Sequence, residues 1–211
     1  MRHEGTVELF LYWNRLRDGR PAPKRTEIEP ADIRARLADT FILEKDSRGE
    51  AVFRLAGSRL CAVFGRELKG FSFTGLWPYR DRDVTGKLCN NTFVDKNVSV
   101  IEFEGTSGSG RTNPFELILL PLEGGRDNPR VLGAVSPLEK PFWLGVDPVT
   151  EARVTSIQVV DPDREPTFLK NRPPVPVSPL SPSANDLQSP DIPESSGRRV
   201  RHLVVLNGGR D

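Results

Sequence analysis

Phe53-Arg54-Leu55-Ala56-Gly57-Ser58-Arg59-Leu60-Cys61-Ala62-Val63-Phe64-Gly65-Arg66-Glu67-Leu68-Lys69-Gly70 passes from an extended run to a helix-sized turn and into a glycine-closed corner. Val52-Phe53-Arg54-Leu55 has strand composition, Gly57 to Gly65 is long enough for a short helix, and the glycines punctuate both ends. Just upstream, Phe41-Ile42-Leu43-Glu44 is a second extended run, and Lys45-Asp46-Ser47-Arg48-Gly49-Glu50 between the two runs predicts a hairpin. Downstream, Phe71, Phe73, Leu76 and Trp77 crowd a loop with aromatic and aliphatic groups, and Asp81 to Lys96 is long and mixed enough for another helix. Three further runs follow, around Val98 to Phe103, Phe115 to Leu122 and Val131 to Ser136. Alternation in Ser99, Ile101, Phe103 and in Phe115, Leu117, Leu119 fits antiparallel strands with one buried face. The order β-β-helices-β-β-β predicts an α+β fold: a five-stranded antiparallel sheet with helices covering one face.

Outside this block the chain is less regular. Near the N-terminus, Leu9, Phe10, Trp13 and Leu16 recur three or four residues apart on one helix face, and Gly19 and Pro21 end the pattern. Pro30-Ala31-Asp32-Ile33-Arg34-Ala35-Arg36-Leu37 predicts a second short helix, with Pro30 suited to its first turn. Toward the other end, residues 161–200 hold nine of the 19 prolines, a density that favours extended, solvated backbone. The last residues, Arg198 to Asp211, contain the β-branched run His202-Leu203-Val204-Val205-Leu206 stopped by Gly208-Gly209. Two readings stand for it, a frayed tail and a strand that adds to an exposed sheet edge in its own domain or in a partner. Whether Val154 to Val160 is a sixth strand or ordered linker stays open at this level. The expected organisation is an N-terminal helix and linker over 1–25, the globular domain over 26–145, an extended, disordered Pro-rich linker over 146–200 and a strand-like patch over 201–211.

Composition bounds the function. With 211 residues, 36% hydrophobic and 28% charged, one domain plus extra segments is expected. Thirty basic against 29 acidic residues give a net charge of +1, which argues against a general nucleic-acid binder. No apolar run nears the ~18 residues of a membrane span, and Met1 to Thr6 lacks a signal-peptide core, so a cytoplasmic protein without membrane insertion is expected. Two separated cysteines, Cys61 and Cys89, and two terminal histidines, His3 and His202, leave little for a disulfide scaffold or a metal site.

The motifs that invite enzymatic readings fail on their spacing. In Gly105-Thr106-Ser107-Gly108-Ser109-Gly110, Ser107 is followed two positions on by Ser109 where a nucleophile elbow needs Gly, and no histidine lies in the domain to serve as base. A phosphate loop starting at Gly108 meets Asn113 where a third glycine is required, and it lies between strands. Glu102 and Glu104 flank inward-pointing Phe103, which predicts a solvated acidic pair. Arg15, Arg17, Arg20, Lys24 and Arg25 suggest nucleic acid only weakly, because a helix carrying Phe10 and Trp13 has to bury them first.

The strand order and the stretch from Phe53 to Gly70, with its Phe-Gly-x-Glu-Leu-x-Gly corner, resemble the PAS domain. Tyr12 to Pro23, Ile33, Phe41 to Glu44 and the closing His202 to Arg210 resemble a family of bacterial stand-alone PAS proteins, over roughly residues 8–138 plus the terminal patch. PAS is a superfold with many ligands and outputs, so the resemblance speaks for fold before function. It implies a non-catalytic regulatory module in bacterial signalling, acting through protein–protein contact and small-ligand sensing; a metabolite sensor relaying pocket occupancy through the N-terminal helix and C-terminal tail is the alternative. A homodimer through Leu9, Phe10, Trp13 and Leu16, a signalling-protein partner and a small metabolite are the partners it implies. Its pocket would be lined by Phe53, Leu60, Phe64, Phe73, Trp77, Leu88, Phe93, Ile101 and Leu117, although a domain of this size needs as many large groups merely to fill its core. Haem held by histidine is not expected, since neither His3 nor His202 falls inside the domain. Photoactive flavin is not expected either, because Gly57-Ser58-Arg59-Leu60-Cys61-Ala62 departs from the Asn-Cys-Arg-Phe-Leu-Gln motif of such domains. No other cofactor is implied.

Overall fold

The computed structural model describes residues 1–124 and 129–164 together with two short strands at Arg199–Val200 and Leu203–Val204. The chain divides into a unit of Met1–Arg172 and a unit of Pro173–Asp211. In the first, α1 (Glu4–Arg17) precedes β1 (Thr40–Lys45) and β2 (Ala51–Ala56). α2 (Ser58–Val63) and α3 (Tyr79–Val94) follow, then β3 (Val98–Ser107), β4 (Thr112–Leu122), β5 (Arg130–Pro137) and β6 (Val149–Val160). All six strands form one antiparallel sheet in the order β2-β1-β5-β4-β3-β6.

The hairpin, the two central helices and the three long strands lie where the sequence places them. The sheet has six strands instead of five, because β6 pairs along the whole of β3. β6 falls inside the stretch assigned to linker, so ordered structure runs past residue 145 to Val160. Residues 165–198 of that linker lie outside the described residues. The last two linker residues, Arg199–Val200 (β7), pair antiparallel with Leu203–Val204 (β8) of the terminal patch; the remainder of the patch lies outside the described residues.

Both faces of the sheet are covered, which departs from the one-faced expectation. β4 shows why: after Glu116 its sequence is Leu117-Ile118-Leu119-Leu120-Pro121-Leu122, apolar on both sides of the pleat. Phe115, Leu117 and Leu119 join the core under α2 and α3. Ile118, Leu120 and Leu122 join a second core under α1 and the connector that leads from it to β1. Residues 30–36 of that connector run through turns and end in a 3-10 turn at Leu37–Asp39, so the expected second helix is absent. An isolated eight-residue helix is marginal in water. Here Ile33 drops into the second core and Arg36 donates to the Glu8 carboxylate of α1 at 2.8 Å, both of which a turn satisfies.

The corner that follows α2 depends on Gly65, whose φ of 62° lies in the left-handed region. It turns the chain into Arg66 to Gly70, where Phe53 N–H donates to the Phe71 carbonyl at 2.9 Å and Gly70 N–H donates to that of Phe53 at 2.8 Å. The aromatic loop is thereby laced to β2.

Candidate functional site

β2 contributes Phe53; α2 and its end, Leu60 and Phe64; the 3-10 turn Phe73–Leu76 and the residue after it, Phe73 and Trp77. α3 adds Leu88 and Phe93, β3 Ile101 and β4 Leu117, so the nine expected pocket residues do converge. They converge as mutual contacts, with none more than 8% exposed. The rings form a continuous path. Phe53 and Phe73 lie 6.2 Å apart by ring centre, Phe73 and Trp77 5.9 Å, Trp77 and Phe103 5.3 Å, and Phe103 stacks on Phe115 at 5.0 Å with 9° between planes. Such offset and edge-to-face spacings are those of packed aromatics. Three rings not among the nine extend this path: Phe41 lies against Phe53 and Phe73, and Phe103 and Phe115 make its far end. Alternation in β3 and β4 marked Phe103 and Phe115 as inward-facing, but which inward residue meets which follows only from register.

One polar atom interrupts this apolar region. Trp77, 2% exposed, holds its indole Nε1–H without a hydrogen-bond partner. Burial pushes the Cys89 thiol up to about 12, so it stays protonated as a packing group. Cys61 is half-buried, with its Sγ 3.8 Å from Glu67 Oε1.

On the other face, α1 lies against the sheet. Leu9, Phe10 and Trp13 are each at most 1% exposed, and Leu16 packs partly buried beside them. The apolar stripe expected to meet a second subunit is therefore used within the chain. Trp13 Nε1–H donates to the Pro121 carbonyl at 2.7 Å, and Phe10 stacks beside Trp13 at 6.1 Å. Arg17, 4% exposed, ties the end of α1 to the chain beyond β6: it donates to the Pro162 carbonyl at 2.9 Å and to Asp163 Oδ1 at 2.7 Å. Glu116, fully buried in β4, accepts from the backbone N–H of Arg2 at 2.6 Å and of His3 at 3.0 Å. Glu116 is the one charge in the run from Phe115 to Leu122, a signal that this strand face meets donors; sequence patterning left it unused.

His3 caps α1, its Nδ1 accepting from Gly5 N–H at 3.0 Å. Loss of water around the ring, then the nearby Arg36 charge, lowers its pKa, with Glu116 opposing. Glu102 and Glu104 are partly exposed and pair with Arg2 at 3.4 Å and Arg153 at 3.0 Å, as solvated acids do. In the β3–β4 loop, Ser109 donates to the Asp147 carboxylate, and the Ser109 and Ser107 hydroxyls hold that carboxyl below the usual range. The base beside these serines is Asp147, and a carboxyl held below the usual range takes a proton poorly, so this cluster closes a hairpin without activating a nucleophile. Among the described residues no group of three or more His, Cys, Asp or Glu is placed to hold a metal ion, and no helix is long and apolar enough to cross a membrane.

No curated protein matches the sequence. Among the solved structures that match, that of an RsLOV variant aligns with a TM-score of 0.36 at 13% identity, over 67% of this chain and 72% of that one, a likeness too slight to add to the argument. A family model described as PAS domain matches residues 1–136, from α1 to the end of β5. The chain belongs to the PAS domain family.

Proposed function

We propose that this chain is a regulatory PAS module without catalytic output of its own, working through protein contact in a signalling pathway. PAS domains are sensory and regulatory, and the observation that carries the finer reading is the continuous ring packing behind the sheet. Phe53, Phe73, Trp77, Phe103 and Phe115 touch in sequence, so the space where a ligand would sit is taken by the protein's own side chains. The outlet for contact is the β6 edge. It is an end strand of the sheet, and Ile157 and Val159 stand 38% and 57% exposed on it. An edge strand with apolar groups is a template for a second strand, and the simplest symmetric use is an isologous homodimer. Analytical ultracentrifugation tests this: the natural chain sediments above monomer mass, and the Ile157→Glu, Val159→Glu double variant sediments as monomer with an unchanged melting temperature. Identical sedimentation of the two would contradict it.

One observation favours the sensor reading instead, the unpartnered Trp77 Nε1–H, since an acceptor on a small metabolite would satisfy it. In that case the ligand reports through the indole itself.

A further inference from the structure

The α1 face of the sheet holds a cavity that the family likeness does not account for, and Phe41 is the one aromatic residue it shares with the core on the other face. Its floor is one row across three strands: Leu55 of β2 stands opposite Ile42 of β1, and Ile42 opposite Leu132 of β5. The connector supplies Ile28, Pro30, Ile33 and Leu37 as walls, and the space is about 270 Å³. Leu37 and Leu55 at its mouth are 39% and 51% exposed, unusually open for residues of that size beside buried neighbours. Arg25 is the single charged residue among those lining the cavity. Its Nε is shielded from solvent without a hydrogen-bond partner, and the side chain makes no ion pair among the described residues. Its backbone is fixed, because Arg25 N–H donates to the Glu123 carbonyl and Glu123 N–H to that of Pro23, each at 2.8 Å.

We propose that this cavity binds a small amphipathic monocarboxylate, with the carboxylate on Arg25 and an alkyl chain along the Leu55–Ile42–Leu132 row. A guanidinium matches a carboxylate in shape and charge, and Arg25 is the one charged residue on an otherwise largely apolar lining. One positive charge suits a monoanion better than a phosphate dianion. The volume sits at or below the usual range of about 300–1,000 Å³ for ligand pockets, which restricts the chain to medium length. This inference is independent of how the aromatic core is used.

The test is calorimetric titration of the full chain with octanoate, below its micellar range, together with 1H–15N spectra of the same samples. Octanoate binds the natural protein and moves cross-peaks of residues 28–42 and 55–57. Arg25→Gln weakens binding by about ten- to a hundredfold, the worth of a charge-assisted hydrogen bond, and Arg25→Lys recovers part of it. Leu55→Glu, at an exposed position that folding does not depend on, also weakens it by placing like charge at the mouth. The proposal is overturned if octanoate gives neither heat nor shifts, if Arg25→Gln and Leu55→Glu bind it as the natural protein does, or if 1-octanol binds equally well.

Discussion

Replacing Trp13 separates a helix that belongs to the domain core from one that serves a second subunit. Trp13 is fully buried, its indole donates to the Pro121 carbonyl at 2.7 Å, and Phe10 and the Arg17 guanidinium pack on it at 6.1 and 5.6 Å. Trp13→Phe keeps most of the apolar volume and strands the Pro121 carbonyl, a loss of about 1–3 kcal/mol. Trp13→Ala also opens a cavity under α1, for about 3–5 kcal/mol in total. Against a domain stability of about 5–15 kcal/mol, the second variant consumes a large share and the first a modest one. Urea unfolding followed by far-ultraviolet dichroism measures both. The losses are properties of one chain, so they are the same at protein concentrations a hundredfold apart. Variants as stable as the natural protein, with a mass falling from dimer to monomer in light scattering, would refute the intrachain packing of α1.

Other predictions concern individual sites. Gly133 stands opposite Phe41 across β1 and β5, and a Cβ there would run into the Phe41 ring, so Gly133→Ala lowers stability by about 1–3 kcal/mol; an unchanged melting temperature would contradict that contact. His3 has a folded pKa below its unfolded value, so the native state binds the proton less readily than the unfolded chain. Stability from this group is therefore complete above the unfolded value of ~6.5 and is lost as pH falls through it toward the folded pKa. Protonation also turns the Nδ1 acceptor of the α1 cap into a donor, and His3→Asn, which retains an acceptor, flattens the pH dependence of urea midpoints between about pH 7 and 5. A slope unchanged in His3→Asn would assign it to other groups. With Cys89 buried and its thiol at about 12, a thiol reagent titrates Cys61 alone in the native protein and both after unfolding; rapid reaction of two thiols in native buffer would contradict the packing of α3.

Sequence periodicity exposed those parts of the fold that have a period. β1 and β2 carried a turn between them, α3 had length, and the inward residues of β3 and β4 alternated. β6 was less visible because it is an edge strand with two register irregularities against β3: Val149, Ala152 and Val160 face inward, while Thr155, Ile157 and Val159 are exposed. Its burial follows neither a strand nor a helix period. The apolar stripe of α1 was plain, yet a stripe does not say whether its own sheet or another molecule covers it. Convergence of the nine pocket residues followed from strand order. How tightly they close did not, because that depends on Phe41, Phe103 and Phe115 meeting through register and rotamer. Arg25 stood only as one of five basic residues with a weak suggestion of nucleic acid: it becomes distinctive when its neighbours turn out to be Ile28, Ile33 and Leu132.

The aromatic core behind the sheet decides between a scaffold for protein contact and a sensing pocket, and the Trp77 indole reports on it from within. The measurement is the 1H–15N indole cross-peak of Trp77 in the full chain, recorded with and without a small-molecule extract of the host cells, with the hydrogen-bonded Trp13 indole as internal reference. A closed core predicts a Trp77 peak that stays in place and exchanges slowly with solvent. A Trp77 peak that moves in the extract while the Trp13 peak stays fixed would contradict the account and make the core a ligand site.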